Sequence, residues 1–328
     1  MKARKFRPDE ILFSPTAQCN LRCAHCDIKQ YRTNLSKKTA LRFLAACADA
    51  RIKRVGFTGG EPFLALDFLC AVTKETIRRK MLFSRIMTNG AWFKTKKELT
   101  SALKRLFCAG YDGDICISAD TFHNQDLRKV ALFIKVASKI WNRPDINSIS
   151  AVKGSLDNRT RKRLKSLAKI LNTRLTNNPY GHHFIKNKNL FIRIFYIGLS
   201  PIGKAAHLKN PWDGKWFRDD FCKGPGNVFF VLPDGTVKPC CGYGNDNDML
   251  TIGSIKHDTP QKLLRNAEAN RFVSEIFRSG LHPIRRALER SGIRFPGKTT
   301  NHCFFCYYLA NYIPRSILEE YLKDYASK

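Results

Sequence analysis

The first two thirds of the chain alternate between two patterns of apolar residues. Short apolar runs, such as those at 54–58 and 114–118, are followed by longer segments in which apolar residues recur every three or four positions. The short runs are typical of buried strands, and the longer spacing is typical of helices with one buried face. Units that repeat in this order predict a parallel α/β fold. The predicted strands are 11–13, 54–58, 83–87, 114–118, 146–152 and 190–197, and the predicted helices are 36–50, 67–80, 96–109, 125–141 and 157–171.

The pattern changes after residue 221. Two alternating apolar runs, 227–232 and 236–240, are joined by Pro-Asp-Gly, which is a hairpin signal. A Thr-Pro pair predicts a helix at 259–279, and a last amphipathic helix is predicted from residue 314. We therefore expect two domains, residues 1–209 and 210–328.

The length of the chain and its apolar runs limit the number of domains and the kinds of protein that the sequence can encode. Its 328 residues are enough for one large α/β domain and a smaller one. No apolar run reaches the roughly 18 residues that a membrane-spanning helix needs. The first ten residues are basic and polar and lack the apolar region of a secretory signal. A cytoplasmic protein without a membrane segment is expected.

The formal net charge of +31 at pH 7 is strongly basic. Such a charge suits nucleic acid, an acidic partner protein or a lysine-rich proteome. The basic residues are spread along the whole chain, and aromatic residues are not interleaved with them in a stacking pattern. The charge therefore gives little support to RNA binding.

Three of the twelve cysteines, Cys19, Cys23 and Cys26, stand in a C-x3-C-x2-C spacing just after the first predicted strand. A disulfide framework is disfavoured because no secretory signal is present. Four-iron clusters are normally held by four cysteines, so three on one loop indicate a cubane cluster with one iron open to a non-protein ligand. A zinc site with His25 as a partner is the alternative, although zinc sites favour paired C-x2-C spacings.

This loop resembles that of the radical S-adenosylmethionine (radical SAM) enzymes, and further motifs follow the next three strands. These are G-G-E-P at 59–62, T-N-G at 88–90 and S-A-D at 118–120. The resemblance implies that the methionine end of SAM binds the open iron and that the fold is a partial, open (β/α)6 TIM-like barrel. Active sites of α/β barrels lie at the carboxyl ends of the strands. The residues implied for SAM binding are His25 near the adenine, Gly59, Gly60, Glu61 and Pro62 near the amino group, Asn89, and Ser118 and Asp120 at the ribose.

Two more positions near these strand ends are candidates. His123 is a candidate general acid or base, unless it is an exposed histidine at the start of a helix. Lys204 stands in P-I-G-K-A, where many members of the family have arginine. That difference keeps the charge but loses the forked guanidinium.

The C-terminal part carries a second group of cysteines. The hairpin and the following helix, with Cys222, Cys240, Cys303 and Cys306 around them, resemble the twitch form of the SPASM auxiliary domain. That resemblance implies a second [4Fe-4S] cluster, since four thiolates saturate one cluster. A zinc site is the alternative, because a C-x2-C pair with two distant cysteines also fits zinc. Cys241 is then a structural thiol, an alternative ligand or a hydrogen-atom donor.

The resemblance implies a radical SAM oxidoreductase or maturase. It would cleave SAM reductively to a 5'-deoxyadenosyl radical that abstracts hydrogen from a substrate C–H bond, and would oxidise or mature a peptide or small metabolite with help from the auxiliary cluster. An acidic one-electron donor such as flavodoxin or ferredoxin is the expected partner. A peptide substrate would need a separate recognition protein, because only about ten residues precede the first strand. The alternatives are a radical SAM enzyme that modifies RNA and a non-enzymatic zinc protein that binds nucleic acid.

Overall fold

The structure is a computed structural model that describes residues 6–28, 31–153, 157–218, 227–242 and 247–326. The strands in these ranges are β1 (Glu10–Phe13), β2 (Arg54–Phe57), β3 (Leu82–Thr88), β4 (Asp114–Ser118), β5 (Asn147–Lys153), β6 (Arg174–Asn177), β7 (His183–Asn187), β8 (Leu190–Gly198), β9 (Val228–Val231), β10 (Thr236–Lys238) and β11 (Gly253–Ser254). The helices are α1 (Lys37–Asp49), α2 (Leu66–Arg78), α3 (Lys96–Cys108), α4 (Leu127–Trp141), α5 (Asp157–Ile170), α6 (Pro260–Ala269), α7 (Arg271–Arg278), α8 (Leu281–Arg290), α9 (His302–Tyr312) and α10 (Arg315–Ala326).

Six parallel strands form the centre of the sheet, and they are the six that the sequence predicts. β1, β2, β3, β4, β5 and β8 pair side by side in that order. The C-terminal hairpin of β9 and β10 continues the same sheet, because β9 pairs in parallel with β1. On the other side, β7 pairs antiparallel with β8, and β6 pairs antiparallel with β7. The described sheet therefore ends in two edges, β11 and β6, and does not close.

The helices begin where capping side chains stand in the sequence. Ser36 accepts a hydrogen bond from the N–H of Thr39 at the start of α1, and Thr95 accepts one from the N–H of Glu98 at the start of α3. The apolar face of each helix and the apolar residues of the central strands share one buried core. No helix in the described ranges is both long and apolar enough to cross a lipid bilayer.

The helix predicted at 259–279 is two helices, α6 and α7. The backbone of Asn270 is extended (φ −73°, ψ 103°), and its side chain accepts a hydrogen bond from the N–H of Val273. Asn270 is thus the N-cap of a new helix, a position that asparagine favours. The apolar pattern runs through the break, so periodicity alone does not reveal it.

Four other elements, β6, β7, α8 and α9, are not among those predicted from the sequence. β6 and β7 are largely polar hairpin strands at the edge of the sheet and lack the apolar run of a central strand. Helix α8 carries Pro283 in its first turn, where the missing N–H costs no helical hydrogen bond. The predicted C-x2-C knuckle of Cys303 and Cys306 lies within α9.

Candidate functional site

A cavity of about 190 Å³ lies where β2, β3 and β4 end and where the loop after β1 carries the three cysteines. Nine of the residues predicted for the site line it, namely Cys19, Cys23, Cys26, His25, Gly59, Gly60, Asn89, Ser118 and His123. Glu61, Pro62 and Asp120 are buried and do not line it. The topology therefore gathers most of the predicted residues at one end of the central strands.

Hydrogen bonds and close packing hold the end of β2 against the cysteine loop. The N–H of Gly60 donates to the carbonyl of Thr16 at 2.9 Å, and the N–H of Glu61 donates to the carbonyl of Gln18 at 2.8 Å. Gly59 has a φ of +119°, a conformation that side chains disfavour. A Cβ at Gly60 would lie 2.1 Å from the Gln18 carbonyl oxygen, so only glycine allows this approach.

The three thiols lie so close together that they do not readily ionise at the same time. Burial, followed by the neighbouring thiols of Cys26 and Cys19, raises the pKa of Cys23 to about 12. Burial is also the main cause that raises the pKa of Cys19 and of Cys26. A positively charged iron centre would offset this repulsion and bind all three as thiolates, so the donor set fits an iron-sulfur cluster.

The spacing of the sulfurs favours a cluster over a single zinc ion. Among the described residues, the one group of His, Cys, Asp and Glu whose ligand atoms all lie within 4.8 Å of one another is His25, Asp120 and His123. The three cysteines are more widely spread. Zinc–sulfur bonds of about 2.3 Å in a tetrahedron would bring the sulfurs within about 4 Å of one another, whereas a cubane binds each thiolate at a different iron.

Glu61 links the ends of β2 and β3. Its fully buried carboxylate accepts hydrogen bonds from the hydroxyl of Thr88 at 2.8 Å and from the N–H groups of Asn89 at 2.8 Å and Phe63 at 3.2 Å. Burial raises the pKa of Glu61 to about 7, although these three donors act in the opposite direction. Glu61 thus holds the ends of β2 and β3 together, and it does not itself line the cavity.

Glu61→Gln is expected to flatten the pH dependence of stability between pH 4.5 and about 7. The folded state holds the Glu61 proton more tightly than the unfolded state, so wild-type stability should fall as the pH rises through this interval. At about 1.4 kcal/mol per pKa unit, the Glu61 contribution is on the order of 3 kcal/mol. Urea unfolding at several pH values measures it, with the exposed Glu268→Gln as control. Parallel slopes in wild type and Glu61→Gln would contradict the expectation.

Asn89 is fixed by the cysteine loop. Its Nδ2 donates to Oδ1 of Asn20 at 2.8 Å and approaches Sγ of Cys19 at 3.7 Å, and its Oδ1 accepts from the N–H of Ala91 at 2.8 Å. The sequence did not indicate Asn20, because an asparagine between two cysteines has no distinctive signal. The contact joins the end of β3 to the cysteine loop.

Asp120 and His123 form a hydrogen-bonded pair at the end of β4. Asp120 Oδ1 accepts from His123 Nδ1 at 2.9 Å and also from the N–H of Phe122, and Oδ2 accepts from the N–H of Val152. Both oxygens of this carboxylate, which is 1% exposed, are therefore engaged inside the protein. The geometry presents His123, not the expected Asp120, to the cavity. The side chain of His123 is 16% exposed, so the alternative of an exposed histidine at the start of a helix does not apply.

His25 packs its ring beside the same pair. Its ring centroid lies 4.7 Å from that of His123 and 5.2 Å from that of Phe122. Burial, followed by the nearby His123, lowers the pKa of His25 to about 4. Its buried Nδ1 has no hydrogen-bond partner in the described part of the chain. A neutral ring with an unused polar atom at the cavity fits an expected contact with a bound nucleoside.

The second group of cysteines is partly brought together. A methyl group at Gly242 would lie 3.7 Å from Sγ of Cys240 and 4.0 Å from Sγ of Cys303, so these two sulfurs approach one point. Cys306 follows Cys303 by three residues in α9, which puts both on one side of the helix. The side chain of Cys241 is exposed. Cys222 lies outside the described residues.

Lys204 lies beside the cysteine loop. Its N–H donates to the carbonyl of Cys26 at 3.4 Å, and its positive charge acts to lower the pKa values of Cys23 and Cys26, against the larger effect of burial. The element that follows β8 therefore packs on the loop, at the position expected from the sequence.

Comparison with known proteins identifies both parts of the chain. The family model described as Radical SAM superfamily matches residues 13–140, and the model described as SPASM, an iron-sulfur cluster-binding domain, matches residues 222–289. The GTP 3',8-cyclase of Clostridium acetobutylicum is 26% identical over 211 residues, which cover 61% of this chain and 59% of that protein. The chain thus spans about three fifths of that relative's length.

Two solved structures have the same fold. The structure described as native anSMEcpe with bound AdoMet superposes with a TM-score of 0.55 at 14% identity and covers 96% of this chain and 99% of that chain. The structure of BtrN in complex with AdoMet and 2-DOIA has a TM-score of 0.50 at 15% identity and covers 91% and 98%. At these identities the likeness concerns the fold, and it confirms the predicted open α/β barrel with an auxiliary domain.

This chain carries a radical SAM superfamily domain at residues 13–140. A SPASM domain, which binds an iron-sulfur cluster, follows it at residues 222–289. The two domains imply SAM and two [4Fe-4S] clusters as cofactors, as expected from the sequence.

Proposed function

We propose that this protein is an enzyme that binds a [4Fe-4S] cluster through Cys19, Cys23 and Cys26 and cleaves SAM reductively. The observation that carries the proposal is the convergence of these three thiols on a cavity that no other cysteine of the described chain lines. Since a four-iron cluster takes four protein thiolates when it is fully protein-bound, three leave a position for the methionine end of SAM.

When bound, the cluster supplies the electron that splits SAM into methionine and a 5'-deoxyadenosyl radical, which takes a hydrogen atom from a substrate C–H bond. The residues of the chain bind and orient SAM. Gly59 and Gly60 border the cavity with backbone alone and leave room for the methionine end. Ser118 offers a hydroxyl group for the ribose, and the neutral His25 ring offers a face for the adenine.

His123 is proposed as a polar contact to the bound nucleoside. Its Nδ1 is held by Asp120, so Nε2 is the ring nitrogen that remains for a ligand. Asp120 is then a positioning residue that fixes the ring, and it does not itself contact SAM.

A second cluster is assigned to Cys222, Cys240, Cys303 and Cys306. The approach of Cys240 and Cys303 to one point supports this assignment. When bound, such a cluster supplies an acceptor for the electron left on an oxidised substrate. An acidic one-electron donor is the proposed partner, because the chain has a net charge of +31 that would attract it.

A peptide or a small metabolite is the proposed substrate. A reaction on GTP is the second candidate, because two relatives named GTP 3',8-cyclase match 61% and 38% of this chain at 26% and 32% identity. The chain covers 59% and 38% of the length of these relatives, so a shared substrate class is all that the likeness supports.

The proposal is tested by SAM cleavage under anaerobic conditions. The full chain is reconstituted with iron and sulfide, reduced with dithionite and incubated with SAM, with and without GTP. We expect 5'-deoxyadenosine to form when both reductant and SAM are present, and chromatography measures it. A fully loaded and reduced protein that forms none, or a purified protein that contains zinc and no iron-sulfur cluster, would overturn the proposal.

A further inference from the structure

The face of the sheet that borders the cavity also carries charged and aromatic side chains on β8. Met87, which lines the cavity, belongs to a row of paired residues that crosses β4 and β5 and reaches Arg193 on β8. Ser118, which also lines the cavity, begins the next row, which ends at Phe195. Paired residues on neighbouring parallel strands point to the same face. Strands lie about 4.8 Å apart, so Phe195 is about 10 Å across the sheet from Ser118.

Two arginines contact the ring of Phe195. The Cζ atom of Arg85 lies 5.3 Å from the ring centroid, and that of Arg193 lies 5.8 Å from it. Both arginines are exposed, and Phe195 is half-buried. A guanidinium that stacks on an aromatic ring keeps its N–H groups at its edge, where they can bind an anion. We refer to Arg85, Arg193 and Phe195 as the arginine-phenylalanine patch.

The positive charge of this patch is incompletely balanced. Arg143, which lies nearby, pairs with Asp145 at 3.2 Å. Asp114 Oδ2 accepts a serine hydroxyl at 2.6 Å. In the described part of the chain, neither Arg85 nor Arg193 forms a salt bridge with a carboxylate. Arg85 and Arg193 act electrostatically on Asp114, and Arg85 is also a hydrogen-bond partner of Cys116. Because neither guanidinium pairs with a carboxylate of the described residues, both keep N–H donors for a ligand.

We propose that the arginine-phenylalanine patch binds the anionic group of the substrate, a phosphate or a carboxylate. This inference rests on the proposed function, because it places the remainder of the substrate toward the SAM cavity. Guanidinium groups bind both phosphate and carboxylate through paired N–H donors. The separation of about 10 Å lets a substrate of nucleotide size bind the patch with its anionic end and reach the cavity with its other end.

The test compares two double variants that remove the same charge. Arg85→Gln/Arg193→Gln changes the patch, and Arg159→Gln/Arg161→Gln changes two exposed arginines of α5. Isothermal titration calorimetry with pyrophosphate and, separately, with succinate measures the dissociation constants of the full-length protein at about 150 mM salt, where long-range attraction is screened. We expect the patch variant to bind at least one of the two anions about tenfold or more weakly than wild type, and the α5 variant to bind like wild type.

The two anions distinguish the source of the charge. Weakening for pyrophosphate alone identifies a phosphate site, and weakening for succinate alone identifies a carboxylate site. Equal weakening in the patch and α5 variants would attribute binding to the overall charge and overturn the inference. Absence of measurable binding of both anions to the wild type would also overturn it.

A conservative variant covers the case in which the glutamine pair fails to fold. Arg85→Lys/Arg193→Lys keeps the charge but loses the forked donors, so we expect it to bind the same anion more weakly than wild type and more tightly than the glutamine pair. Wild-type affinity in the lysine pair would count against recognition by the guanidinium fork. The titrations need no reductant, so a failure of SAM cleavage and a failure of anion binding are observed separately.

Discussion

A Cys23→Ser variant is expected to lose reductive SAM cleavage by more than about 100-fold. Cys23 is the central thiol of the loop, with Cys19 and Cys26 acting on its pKa. Serine keeps the shape of the side chain but replaces a soft thiolate ligand with a hydroxyl that binds iron poorly. The amount of 5'-deoxyadenosine measures activity. The iron content should fall by about half, because the cluster proposed for the C-terminal thiols would remain.

Cys108→Ser is the matched control for this prediction. Cys108 is an exposed free thiol at the end of α3. We expect this control to keep the iron content and the SAM cleavage of wild type. Full iron and full activity in Cys23→Ser, or the same loss in Cys108→Ser, would show that the N-terminal loop does not hold the active cluster.

Gly60→Ala is expected to weaken SAM binding by about tenfold or more and to destabilise the protein by about 1–3 kcal/mol. The added methyl group would lie 2.1 Å from the carbonyl oxygen of Gln18 and 2.6 Å from its carbon. Both are backbone atoms, so the end of β2 must move away from the cysteine loop. The hydrogen bond from Gly60 to Thr16, which holds the loop against the strand, would then be strained or lost. Calorimetry with SAM and thermal unfolding measure the two effects.

Gly198→Ala provides the control on a strand with open surroundings. Gly198 ends β8, and a methyl group there would have no heavy atom within 4 Å. We expect unchanged SAM binding and a wild-type unfolding temperature. If Gly60→Ala binds SAM as tightly as Gly198→Ala, the close approach of the strand to the cysteine loop is not needed for binding.

The central strands and most of the candidate site could be predicted because each is indicated by a short, continuous stretch of sequence. Buried parallel strands such as β2 and β4 are short apolar runs, and each ends in a polar motif that begins a turn. Parallel topology then brings those ends together without further information. Cys19, Gly60 and Ser118, which are far apart in sequence, reach one cavity for this reason.

The contacts that depend on side-chain packing could not be predicted. The family resemblance places Asp120 at the ribose, but its oxygens accept hydrogen bonds from His123 and from backbone N–H groups inside the protein. The interaction of Asn89 with Asn20 joins residues 69 positions apart. Asn270, which separates α6 from α7, lies in an apolar pattern that continues across the break. In each case the deciding interaction comes from the tertiary structure.

The most direct test of the central claim, that SAM completes the cluster on Cys19, Cys23 and Cys26, is the stoichiometry of SAM cleavage. The reconstituted protein is reduced with dithionite without oxygen, and methionine and 5'-deoxyadenosine are quantified over time. We predict equal amounts of the two products, formed only when the cluster is loaded and reduced. A loaded and reduced protein that leaves SAM intact, or that converts it to S-adenosylhomocysteine alone, would contradict the claim.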